Sequence, residues 1–200
     1  MKRTKKEAEQ TKDLILETAL DIFSKKSYDL STLNDIASAS GLTRGAIYWH
    51  FQDKTDILKE LTHIHLGEFL NKIKVEFCNR EGNSLDKIES IFKLYFEYFL
   101  DNESNLKFIR IIYGKMSFND SNPFVLEIFG EIINTILNDL NKTIALGQAN
   151  NEIRKDLDVS YLTTVILSLI VRVDKIINFY PRSLKNREEV IKNTLIMLKA

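Results

Sequence analysis

Nine glycines and prolines in 200 residues leave this chain few places to turn sharply. Globular proteins carry roughly 12% of these two residues together. Sandwiches, barrels and β-meanders need turn residues at short, regular intervals, so their scarcity here predicts long helices with few breaks. Hydrophobic residues make up 44% of the chain and charged residues 28%, enough to bury a core and to solvate the surface. The length suits one large domain, or a small domain joined to a larger one.

Periodicity supports helices nearly throughout. Residues 8–26 place Ile15, Ala19, Ile22 and Phe23 on one face. Two short helices are expected next. One runs from Thr32 to Ala39 with Ser31 or Thr32 as its N-cap, and the other from Thr43 to His50 after Ser40-Gly41-Leu42. Asp53 should cap a long helix from about Lys54 to about Arg80. Beyond Glu81-Gly82-Asn83-Ser84, an apolar stripe of Leu85, Ile88, Phe92, Tyr95, Phe96 and Phe99 marks the next helix. Further helices are expected over Ser104–Met116, from Pro123 to about Leu146, over 159–180 and over 184–199, with a polar connector at 147–158. The expectation is an all-α protein of about nine helices, divided at residues 9–69 and 70–200 into a small N-terminal and a larger C-terminal domain.

A lone cysteine, Cys78, excludes an intrachain disulfide and a cysteine-based zinc site. The N-terminus is basic but leads into Glu7, Glu9 and Gln10, unlike a signal peptide. The longest nearly apolar run, Val159 to Val171, is too short to span a bilayer and ends at Arg172. These features read as a cytoplasmic protein with no membrane partner. Net charge is zero, so composition by itself lends nucleic-acid binding no support.

Position supplies what composition does not. In residues 31–54, Ile36, Ala37, Leu42, Ile47 and Phe51 are spaced to lock two short helices around the Gly41 turn, a helix-turn-helix pattern. In that geometry the second helix enters the DNA major groove and exposes Thr43, Arg44, Tyr48, Trp49 and His50. Arg44 suits a guanine edge or a phosphate, and Gly45 lets the backbone approach closely. Tyr48, His50 and Lys54 suit phosphates. Spacing alone equally allows Tyr48-Trp49-His50-Phe51 to be a packed aromatic corner.

The segment Thr43-Arg44-Gly45-Ala46-Ile47-Tyr48-Trp49-His50-Phe51, followed by Asp53-Lys54, resembles the recognition helix of TetR-family repressors, in particular the multidrug-efflux repressors of the AcrR type. The likeness extends upstream through Thr11-Lys12-Asp13-Leu14-Ile15-Leu16, Ala19, Phe23, Thr32, Ile36, Ala37 and Gly41, and so covers about the first sixty residues. One departure falls at Ser27-Tyr28, where family members often carry a glycine. The resemblance places Thr32, Thr43, Arg44, Gly45, Tyr48, Trp49, His50 and Lys54 against operator DNA. It implies a homodimeric repressor that binds a pseudo-palindromic operator, controls multidrug efflux genes and is released by a small apolar or amphipathic inducer. Two alternatives stand beside it: the same fold sensing a fatty acyl or other metabolite, and a helical ligand-binding protein that no longer contacts DNA.

For the ligand, the candidates are Phe92, Phe96, Glu97, Phe99, Tyr113 and Phe129. For each aromatic, core packing is the commoner role. Leu162, Val165, Ile166, Leu169, Ile170, Val173 and Ile177, with Ile191, Leu195 and Leu198, are equally suited to a dimer interface or to ordinary core. Enzyme chemistry finds little footing. Glu60 and His63 have the spacing of di-iron bundle ligands but no second copy exists, His63 and His65 point to different faces of a helix, and no histidine follows His65 to activate Cys78. No metal or cofactor is expected.

Overall fold

A computed structural model describes residues 4–79, 82–112, 123–179 and 187–200. Its helices are α1 (Lys5–Lys26), α2 (Leu33–Ser40), α3 (Arg44–His50), α4 (Lys54–Thr62), α5 (Glu68–Asn79), α6 (Ser84–Tyr95), α7 (Glu103–Arg110), α8 (Pro123–Ala149), α9 (Val159–Phe179) and α10 (Arg187–Leu198). A π-helical turn, His63–Gly67, joins α4 to α5 without a break, and a second, Phe96–Leu100, extends α6. With α4 and α5 taken as one continuous helix, the described residues form nine helices and no strand, the all-α architecture expected.

The helices start where the sequence supplies caps. Thr4, Thr32 and Asn83 each form a reciprocal capping box with the acidic residue three positions on, Glu7, Asp35 and Asp86. Thr43 and Asp53 accept backbone N–H groups at the starts of α3 and α4. Salt links the first two helices: Lys26 Nζ lies 2.8 Å from Asp35 Oδ2, and together with the Thr32 bonds it holds the Asp35 pKa down at about 2.

The chain packs as two compact units. The first comprises Met1–Glu68 and Glu103–Ile128, and thus takes in α7 as well as the N-terminal helices. Its core is Ile15, Leu16, Ala19, Leu20 and Phe23 of α1 with Ile36, Ala37, Ile47, Ile57, Leu58, Leu61 and Phe108. The π-turn buries His65, whose Nδ1 lies 2.6 Å from Asn105 Oδ1 and whose ring stacks on Phe108 at 4.9 Å. Burial pushes the His65 pKa below 6.5, against weaker upward pulls from Asn105 and the Glu68 charge. The unfolded chain therefore takes up this proton first, so stability is intact above the unfolded value and is withdrawn as the pH falls through it. Thermal midpoints of the wild-type protein should fall more steeply than those of His65→Gln between about pH 7 and pH 5.5. Parallel curves would show that His65 is not held neutral.

The second unit comprises Phe69–Asn102 and Phe129–Ala200. Rings of Phe69, Tyr95, Tyr98 and Phe99 pack at centroid distances of 4.4 to 6.1 Å, beside Phe92 and Phe96. The connector from α8 to α9 is tied down by Gln148, whose amide donates to the Arg154 and Leu157 carbonyls, and by Glu152, which accepts the Ser84 N–H at 2.8 Å. Gly147 is needed for close approach: a Cβ there would sit 2.7 Å from Ile153 Cδ1 and 2.8 Å from Ser84 Cβ. Gly147→Val should therefore cost about 2–3 kcal/mol by overpacking, seen as a lower urea midpoint, and an unchanged midpoint would refute the close fit.

Leu162, Ile166, Ile170, Ile191 and Leu198 are buried within this unit, which assigns these five of the interface candidates to its core. Among the described side chains of α9 and α10, the large apolar ones left outside are instead Tyr161, Ile196 and Met197. The side chains of Cys78, Val173 and Ile177 lie outside the described residues.

Candidate nucleic-acid interface

Four local choices build the helix-turn-helix. Thr32 starts α2 by accepting the Asp35 N–H at 3.1 Å, and its own hydroxyl donates to Asp35 Oδ2. Gly41 ends α2 in the left-handed conformation at φ +67°, which turns the chain without the strain a side chain would add. Thr43 starts α3 by accepting the Ala46 N–H at 3.2 Å. Burial of Ile36, Ala37, Ile47 and Phe51 then locks α2, α3 and the start of α4 together.

What remains outside on α3 is unusual for a free protein surface. Trp49 is 69% exposed and Tyr48 58% exposed, so two large aromatics contribute little to the fold that carries them. The spacing therefore does not produce a packed aromatic corner: Phe51 goes in, His50 is half-buried with the Trp49 ring edge-on at 4.5 Å, and Tyr48 and Trp49 stay out. Thr32, Thr43, Arg44 and Gly45 are also exposed. Arg44 donates from Nε to Asn34 Oδ1 at 2.9 Å, which steadies the guanidinium across the two helices. Lys54 lies apart from this set, its Nζ donating to the carbonyls of Tyr28, Asp29 and Ser31.

Comparison with known proteins bears on the same stretch. Residues 15–61 match the bacterial regulatory proteins of the tetR family. Over 160 residues, covering 75% of this chain and 70% of the relative, the sequence is 32% identical to the HTH-type transcriptional regulator TtgR of Pseudomonas putida. The chain belongs to the tetR family. It is also 35% identical over 120 residues to the HTH-type transcriptional regulator AcrR of Shigella flexneri, a match spanning 58% of this chain and about half, 54%, of that protein. Among solved structures, NalD, the secondary repressor of the MexAB-OprM multidrug efflux pump in Pseudomonas aeruginosa, superposes with a TM-score of 0.78 over 98% of both chains at 18% identity. The tetR family is one of regulatory proteins and not of enzymes, in keeping with the sequence. No group of three potential metal ligands occurs among the described residues, and no described helix is long and apolar enough to cross a membrane.

The ligand candidates of this tetR-family chain divide. Phe92, Phe96 and Phe99 are buried against neighbouring rings, Phe129 is half-buried, Glu97 is exposed, and Tyr113 lies outside the described residues. An exposed Glu97 is not an acid waiting inside the core. His63, which opens the π-turn that also holds His65, sits edge-on to Phe124 at 5.0 Å. Sequence reasoning missed Asn34, whose link to Arg44 joins positions ten apart and has no periodic signal.

Proposed function

We propose that this protein is a transcriptional repressor that binds operator DNA through α2 and α3 and acts as a homodimer. The observation that carries this reading is the pair of outward aromatics, Tyr48 and Trp49, on a helix whose inward residues, Ile47 and the following Phe51, are wholly committed to the core. This reading gives phosphate and sugar contacts to Thr32, Tyr48, Trp49 and His50, close backbone approach to Gly45, and base edges to Thr43 and Arg44. One helix of seven residues buries too little to hold DNA alone, and two joined copies would occupy half-sites about one helical turn or a multiple apart. Tyr161 and Ile196, 56% and 61% exposed, supply apolar surface for the second copy.

An apolar or amphipathic small molecule is the proposed inducer, acting at the aromatic cluster of α6 and the π-turn after it, where Phe92, Phe96 and Phe99 lie. π-turns interrupt helices preferentially at functional positions. Release follows if the ligand binds better to the dimer form whose recognition helices no longer match successive grooves. The roles of AcrR as a transcriptional regulator and of NalD as an efflux-pump repressor support efflux genes as targets. Selection of duplexes from a randomised pool tests the reading: an enriched inverted repeat is expected, and a pool that stays random through successive rounds would refute it.

A further inference from the structure

We propose, resting on the DNA-binding reading above, that Asn34 is a positioning residue for base recognition: its side-chain carbonyl aims the Arg44 guanidinium and so sets how sharply one base of each half-site is read. Asn34 is the second residue of α2 and Arg44 the first of α3. Both are exposed, and Arg44 Nε donates to Asn34 Oδ1 at 2.9 Å. A guanidinium holds five N–H donors in one plane, and it can present a two-pronged fork either from its two terminal NH2 groups or from Nε with one of them. With Nε taken by Asn34, the end-on fork is the one left for the O6 and N7 acceptors of guanine. A side chain that swings between forks suits more than one arrangement of acceptors, whereas one held in a single pose selects one.

Both ends of this tether are held. The capping box of Thr32 with Asp35 fixes the first turn of α2, in which Asn34 lies. The Gly41 turn at φ +67°, the Leu42 N–H bond to the Ala37 carbonyl at 3.1 Å and the burial of Ile36, Ala37 and Ile47 fix α3 against α2. An exposed arginine has many rotamers to lose on binding, and a bond already made in the free protein reduces that loss. The choice of partner points the same way. Elsewhere this unit joins helices by pairing a lysine with a carboxylate: Lys12 with Glu60 at 2.6 Å, Lys26 with Asp35 at 2.8 Å and Lys107 with Asp21 at 2.8 Å. Arg44 meets a neutral amide instead, and among the described residues it forms no ion pair. An amide oxygen orients the guanidinium through one N–H without neutralising it, so the charge is left for the acceptors of a groove.

The test uses the full-length protein and the duplex enriched by selection. Asn34→Ala, Arg44→Ala and the double variant are titrated by fluorescence anisotropy against duplexes with single-base changes, across a salt series. Arg44→Ala first identifies the base pair whose identity is no longer read. At that base pair Asn34→Ala should lower discrimination by about fivefold. The slope of log affinity against log salt should not change, because no cation is lost, and the thermal midpoint should stay at the wild-type value. In the Arg44→Ala background the same substitution should alter affinity by less than about twofold, since nothing is left to aim. Four results would overturn the proposal: full discrimination in Asn34→Ala, losses that simply add in the double variant, a loss spread evenly over all base positions, or an Arg44→Ala variant that still reads every base pair. Should the wild-type protein prefer no duplex, the DNA-binding reading itself falls. NMR relaxation of the Arg44 Nε–H group in the free protein then still decides the tether, a lower order parameter in Asn34→Ala supporting it and an unchanged one refuting it.

Discussion

Arg44→Ala is expected to weaken binding to the selected duplex by about 1–3 kcal/mol per half-site and to level the preference among bases at one position in each half. The bond from Arg44 Nε to Asn34 leaves both terminal NH2 groups of the guanidinium available as a fork. A fork of that kind fits the O6 and N7 acceptors of guanine in the major groove. Tyr48→Ala provides the contrast. Its exposed hydroxyl suits a phosphate, so its loss should weaken all duplexes alike and leave the base preference in place. Competition titrations against duplexes with single-base changes separate the two, and proportional losses for both variants would remove the base-reading role of Arg44.

Phe92→Ala should lower the unfolding free energy by about 3–5 kcal/mol, a large share of the roughly 5–15 kcal/mol that holds a typical domain together. Phe92 is 0% exposed and packs beside Phe96, with centroids 6.2 Å apart, so truncation leaves a cavity its neighbours cannot readily fill. The measurement also bears on the ligand. A ring closely packed on all sides should cost near the upper end of that range, whereas one facing a standing void gives up fewer contacts and should fall at or below about 3 kcal/mol in urea unfolding. With the full penalty, an inducer entering this cluster must displace packed rings, and its affinity is reduced by the fraction of molecules in which they have moved.

Much of this protein was legible before its coordinates because its signals are local. The caps at Thr32 and Asp53, the Gly41 turn and the inward spacing of Ile36, Ala37 and Ile47 depend on neighbours a few residues away, and each appears where the sequence put it, whereas Thr43, expected as the first residue of its helix, caps it instead. The π-turns at 63–67 and 96–100 escaped because a single inserted residue shifts the helical face without altering composition. The contacts of Lys54 were hidden for another reason. At the start of a helix, beside a recognition helix, a lysine suits a phosphate, but its partners are backbone carbonyls 23 to 26 positions earlier, and carbonyls leave no mark in a sequence. The aromatics of the second unit were ambiguous for the same cause: ring packing and ligand lining call for the same residues, and only placement distinguishes Phe92, buried, from Phe129, half-buried.

DNA recognition by α2 and α3 is tested most directly by titrating the purified protein, by fluorescence anisotropy, against duplex DNA from immediately upstream of its own gene, with an unrelated duplex of equal length and varied salt. Preference for the upstream duplex that persists at moderate salt, and that is lost on replacing Tyr48 and Arg44 together by alanine, is the predicted result. Equal affinity of the wild-type protein for both duplexes at every salt concentration would contradict it.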